Sequence, residues 1–143
     1  LILELRRSHG IQYLPLGGSS PMRTIVQKLR DNKIVLITAD RAIEGQSVVA
    51  DFFGAPARLP IGPVKLAQRT GAALVGAFCY RTPQGLSVGQ WVPLSSDLTD
   101  EQCTNTDSIM RALIEKVEQF IRQYPEQWLA FSPIWIEDIK SGS

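Results

Sequence analysis

The chain has 143 residues, 44% of them hydrophobic, which is enough for one domain with a real core and too little for two ordinary ones. Lys and Arg number 15 against 14 Asp and Glu, and the two signs are interspersed, so a formal charge of +1 gives no overall electrostatic case for nucleic acid. No run reaches the roughly 18 apolar residues that a membrane-spanning helix needs, so a membrane would be met from its surface.

The opening Leu-Ile-Leu-Glu-Leu-Arg-Arg-Ser-His-Gly reads as the last turns of a helix that begins upstream, with Gly10 as its C-terminal cap. Residues 11–14 read as a short strand. Ser20-Pro21 is an N-cap and N1 pair, opening a helix to about Arg30, and Asp31-Asn32 is a turn. The continuous β-branched and apolar run 33–39 is expected to be a strand buried on both faces. Residues 41–60 read as a long loop with a hairpin at 47–53. Gly62-Pro63 opens a short helix to Arg69, closed by Gly71. Residues 72–78 form another apolar strand, and Pro83-Gln84-Gly85 turns it into a hairpin ending near Val92.

An amphipathic helix is expected over 107–124, ended by Pro125. Ile109, Leu113, Val117, Phe120 and Ile121 share one stripe, with Arg111, Glu115, Glu118 and Arg122 on the other side. The final Lys-Ser-Gly-Ser reads as a linker-like tail. A helix between two buried strands makes a βαβ unit with a right-handed crossover. The expected class is therefore α/β: one domain over 1–143, with a mostly parallel sheet, flanking helices and an antiparallel edge hairpin.

Cys79 and Cys103 are the two cysteines, with no CxxC and no neighbouring histidine, so neither a metal site nor a disulfide framework is expected. Cys79 reads as a small buried apolar residue and Cys103 as a free thiol, in a reducing compartment.

The loop after the 33–39 run carries the candidate chemistry. Asp40 and Arg41 follow the end of an expected parallel strand, where open α/β sheets bind ligands. A turn cap is the competing reading of Asp40. Asp51 precedes Phe52-Phe53-Gly54. A carboxylate beside two aromatic rings would be partly desolvated, which suits a group that orients or charges a partner histidine. Phe52 and Phe53 read either as core or as a substrate wall. Arg58 lies between Pro56 and Pro60 and reads either as a rigidly mounted phosphate clamp or as a solvated charge.

Several of these segments together resemble the lipid A biosynthesis lauroyl/myristoyl acyltransferase family. They are Ala39-Asp40-Arg41, then Asp51-Phe52-Phe53-Gly54, then Pro60-Ile61-Gly62-Pro63 with Leu66-Ala67, then Arg69-Thr70-Gly71-Ala72 and Tyr124-Pro125-Glu126-Gln127-Trp128. Within it the phosphatidylinositol mannoside acyltransferases are the nearer likeness. The resemblance implies an O-acyltransferase peripheral to the cytoplasmic face of the inner or plasma membrane. Its donor would be acyl-CoA or acyl carrier protein, its acceptor a hydroxyl of a glycolipid or lysophospholipid, with no metal and no further cofactor. It also implies a His-x4-Asp/Glu general base, with Asp51 where some members place a second, histidine-orienting carboxylate. Phe52, Phe53 and residues 59–61 would help line an acyl groove.

His9 departs from that pattern, because the residue five positions on is Leu14. The base is therefore expected upstream of Leu1, with this chain inactive alone and an exposed apolar surface favouring a homodimer or poor solubility. A non-catalytic lipid- or CoA-binding α/β module is the alternative. A weaker third reading is an interaction domain that uses helix 107–124.

Overall fold

The structure, a computed structural model, describes residues 2–14, 21–40, 46–94 and 98–137, with the backbone alone at Ile2. Ser20, Arg41 and the 140–143 tail lie outside the described residues. Contacts group the chain into two units, Leu1–Leu36 and Ile37–Ser143.

The first unit holds helices α1 (Ile2–Ser8) and α2 (Pro21–Arg30). Each ends on a left-handed residue, Gly10 at φ 75° and Asn32 at φ 58°. The next N–H reaches back in both cases: Ile11 to the Arg6 carbonyl and Lys33 to that of Lys28, each at 2.9 Å. That closure satisfies carbonyls that a helix end leaves orphaned. Residues 11–14, expected as a strand, form none.

The second unit contains hairpin β1 (Ser47–Phe52) with β2 (Ala55–Pro60), helix α3 (Gly62–Thr70) and hairpin β3 (Val75–Arg81) with β4 (Ser87–Pro93). Helices α4 (Asp100–Thr104) and α5 (Thr106–Gln123) and a 3-10 turn at Pro125–Gln127 complete it. Gly71 ends α3 at φ 71°, its N–H donating to the Ala67 carbonyl at 2.8 Å. Short α4 was not expected. Its Thr99 and Gln102 form a reciprocal capping box.

One core joins these elements. Phe52, Ala57 and Leu59 from the first hairpin meet Ile61 and Val64 at the start of α3, Leu94, the α5 residues Ile109, Met110, Leu113 and Ile121, and Ile134. The C-terminal segment extends the first hairpin. Arg58 N–H donates to the Ile134 carbonyl at 3.0 Å, and Ala57 bridges Trp135. The inner face of β3 stacks on α5, with Phe78 on Phe120 at 4.8 Å between ring centroids and Tyr80 on Tyr124 at 4.2 Å.

Three expectations are corrected. The 33–39 run is not a strand. It is irregular, with Ile34 95% and Leu36 80% exposed. A strand exists only by pairing with a neighbour, and no described residue pairs with this run. Both sheets are two-stranded and antiparallel, so the expected parallel βαβ pairing is absent among the described residues. Cys79 is also exposed, not buried. It alternates with Phe78 and Tyr80 and so falls on the strand's outer face.

Candidate functional site

The Asp51-Phe-Phe-Gly54 segment is the turn of the first hairpin. Phe52 pairs with Ala55, leaving Phe53 and Gly54 as its two central residues. Their φ angles are 56° and 81°. Two successive positive φ angles are what a type I′ turn requires, and its right-handed strand twist explains the preference in tight hairpins. Gly54 accepts this freely. Phe53 carries a Cβ, and the left-handed region costs such a residue about 1–2 kcal/mol.

Several contacts hold the turn in place. Gly54 N–H donates to Asp51 Oδ1 at 3.0 Å, and Phe53 N–H donates to Glu118 Oε1 of α5 at 2.7 Å. Arg122 donates to the other carboxylate oxygen, Glu118 Oε2, at 2.8 Å. Its guanidinium carbon lies 4.9 Å from the centroid of the Phe53 ring. Phe53 in turn meets Phe52 edge-on at 4.7 Å.

Phe52 is 1% exposed, inside a cage of aromatic rings. Trp128 approaches it edge-on and Trp135 lies stacked, each at 6.0 Å. Trp135 Nε1–H also donates to the Phe52 carbonyl at 2.9 Å. The side chains expected to wall an acyl groove, Phe52, Leu59 and Ile61, are core residues here. The gap between Ala39, Asp40, Phe52, Leu59 and α5 is about 10 Å³. That is room for about one water molecule, far below what a fatty chain occupies. A larger hollow of about 540 Å³ lies elsewhere, between the end of α3, Leu94, α4 and the start of α5.

The other expected site residues fall as follows. Asp51 is exposed, so it is not the desolvated carboxylate expected from its aromatic neighbours. One of its oxygens anchors the turn and the other makes no hydrogen bond among the described residues. Asp40 is half-buried and accepts from Trp128 Nε1–H at 3.4 Å, which links the start of the loop to the aromatic cage. Arg58 is an exposed strand residue opposite Val49. Arg41 lies outside the described residues. The structure therefore brings Asp51, Phe52 and Phe53 together, sets Asp40 against the same cage through Trp128, and leaves Arg58 on the outer surface of β2.

His9 is exposed at the end of α1, its Nδ1 2.9 Å from the Leu5 carbonyl and 3.2 Å from Ser8 Oγ. These are helix-capping contacts, with no carboxylate among them. Among the described residues, no group of three His, Cys, Asp or Glu could hold a metal ion, and no helix is long and apolar enough to cross a membrane.

Glu118 is the residue that sequence reasoning missed. It was placed on the solvent side of α5, yet it lies four residues after Ile114 and three before Ile121. That spacing sets it at the edge of the apolar stripe. The Tyr124-Pro-Glu-Gln-Trp segment also acquires a physical meaning. Tyr124 stacks on Tyr80, and Trp128 closes on Phe52 and Asp40. The Gln127 side chain bonds both backbone groups of Arg81, at 2.6 and 2.9 Å.

The sequence profile described as bacterial lipid A biosynthesis acyltransferase matches residues 1–137. A phosphatidylinositol mannoside acyltransferase of Mycobacterium tuberculosis (strain CDC 1551 / Oshkosh) is 34% identical over 144 residues, covering 98% of this chain and 43% of the relative. One of Mycolicibacterium smegmatis is 33% identical over 139 residues, covering 96% and 44%. The chain thus spans less than half the length of these curated relatives.

Proposed function

The chain belongs to the bacterial lipid A biosynthesis acyltransferase family, and we propose that the whole protein transfers a fatty acyl chain from acyl-CoA or acyl carrier protein to a hydroxyl of a glycolipid or lysophospholipid. The single observation that carries this reading is the family match over residues 1–137. The similarity to phosphatidylinositol mannoside acyltransferases favours a mannosylated inositol lipid as acceptor. We propose that the enzyme works peripherally at the cytoplasmic face of the inner or plasma membrane.

In the proposed reaction the acceptor oxygen attacks the thioester carbonyl carbon. A C–O bond forms, the C–S bond breaks, and the hydroxyl proton passes through a general base to the departing thiolate. Leu14 stands where a His-x4-Asp/Glu motif starting at His9 would need its acid, so the base is assigned to a part of the protein outside this chain. Asp51 sits on a braced turn with one carboxylate oxygen unengaged among the described residues, an arrangement suited to orienting an imidazole N–H. Asp40, Arg41, Phe53 and Arg58 are assigned to the substrates. Phe52 supports the turn from within the core.

We place residues 33–39 in a parallel sheet of the whole protein. In the isolated chain the same exposed apolar run favours self-association into a homodimer.

The test is kinetic, on the full-length gene product with acyl-CoA and a mannosylated inositol lipid. Asp51→Asn is expected to lower turnover about tenfold or more, as loss of a group acting in proton transfer does. The acceptor KM should stay within about twofold, since Asp51 contributes little uniform binding. Unchanged turnover would make Asp51 purely structural. The alternative reading is a non-catalytic module that binds lipid or CoA. Binding of coenzyme A without turnover would establish it.

A further inference from the structure

The Asp51 turn is not encoded by the hairpin alone. A type I′ turn selects Asn-Gly or Gly-Gly because both central residues need positive φ. Here the first of them is Phe53, at φ 56°. An aromatic residue holds that conformation only where its surroundings over-determine it.

The over-determining group is Glu118, 65 residues further along the chain and rooted on α5. Both of its carboxylate oxygens act on Phe53. Oε1 accepts the Phe53 N–H at 2.7 Å, and Oε2 holds Arg122, whose guanidinium covers the Phe53 ring at 4.9 Å. The Glu118 side chain is 13% exposed, against 59% for Arg122. An ordinary i,i+4 pair on a helix surface would leave both groups in water. Here the acid turns inward to a backbone amide while its partner stays outside.

The two amides at the turn are thus shared between two carboxylates, Phe53 N–H to Glu118 and Gly54 N–H to Asp51. They belong to adjacent residues. A Phe53 that leaves the left-handed region reorients the peptide that follows it, and Asp51 loses the N–H that fixes its carboxylate.

We propose that Glu118 is a positioning residue that holds the Asp51 carboxylate in place by locking Phe53 in its left-handed conformation. This rests on the reading of Asp51 given above. The inference makes α5, and not the hairpin, the element that sets the geometry of the Asp51 carboxylate.

The test is a double-mutant cycle in the full-length enzyme, read as kcat, acceptor KM and thermal midpoint. Glu118→Ala is expected to lower kcat by about tenfold with acceptor KM within about twofold, since misplacement of a catalytic group by an ångström can cost up to a hundredfold. Glu118→Gln keeps an oxygen for the Phe53 N–H and is expected to retain kcat within about threefold. Phe53→Asn supplies a residue that accepts positive φ before Gly54. In that background Glu118→Ala is expected to cost almost nothing further in kcat, whatever Phe53→Asn costs by itself.

A Glu118→Ala loss that persists undiminished in the Phe53→Asn background would overturn the proposal, because a general defect of α5 would not be cured at the turn. Wild-type kcat for Glu118→Ala alongside an impaired Asp51→Asn would overturn it while leaving the Asp51 reading intact. Should Asp51→Asn itself have wild-type kcat, the Asp51 reading falls. The thermal midpoints then decide the coupling: additive effects of Glu118→Ala and Phe53→Asn would sink the Glu118–Phe53 lock as well, and non-additive effects would uphold it.

Discussion

Phe52 and Phe53 are neighbours in the chain and face opposite demands. Phe52 ends β1 and turns into the core, where two tryptophan rings and Phe53 surround it. Phe53 sits at the turn, its ring half-buried under Arg122. Truncating the buried ring removes the centre of the aromatic cage. Phe52→Ala is expected to destabilise the protein by about 3–5 kcal/mol, measured by urea denaturation of the full-length protein, as for other large-to-small core changes. A loss below about 1 kcal/mol would mean that the cage collapses freely onto the cavity. The Asp-Phe-Phe-Gly segment is visible as a unit in the sequence, which leans to core over substrate wall for at least one of its rings without saying which. Two adjacent aromatics carry no signal for which one turns inward. That is decided by where the hairpin reverses, and the reversal depends on a left-handed Phe53 that local propensity disfavours.

At the scale of elements, legibility follows the range of the interactions. Helices α2, α3 and α5 were readable because their signals are local: Pro at the first turn, a following glycine, and an apolar stripe at helical spacing. The β3–β4 hairpin was readable from Pro83-Gln84-Gly85 between apolar runs. The run 33–39 reads as a strand on the same local basis, and in this chain it is irregular. Its β-branched composition is real, but strand formation needs a partner, and the described residues supply none. The exposure of Ile34 and Leu36 makes this testable. Backbone amides at 34–36 are expected to exchange with solvent at nearly unprotected rates in the isolated chain, and markedly more slowly in the full-length protein if they join a sheet there. Equal, fast exchange in both would remove the parallel-sheet proposal. Glu118 shows the opposite limitation. A helical acid beside an apolar stripe is usually a solvated neighbour, and only the fold reveals that a backbone amide 65 residues away awaits it.

For the molecule as a whole, the family segments turn out to be mostly architecture. Tyr124 to Trp128 ties the β3–β4 hairpin and Asp40 to the end of α5, while Gly71 stops α3. Trp128 also packs on Phe52, which lies edge-on to Phe53 of the Asp51 turn. His9 lies at the end of its own helix, its Nδ1 against the Leu5 carbonyl and Ser8 Oγ and not against a carboxylate. Under the proposed function, this chain supplies the turn and its bracing, and the rest of the protein supplies the base. The most direct measurement is acyl transfer by the full-length gene product and by the 143-residue chain, side by side, with acyl-CoA and a mannosylated inositol lipid. The account predicts that the full-length protein yields one free thiol for each acylated acceptor, and that the chain alone gives no transfer above the uncatalysed rate. Robust transfer by the 143-residue chain alone, or coenzyme A binding without thiol release by the full-length protein, would contradict it.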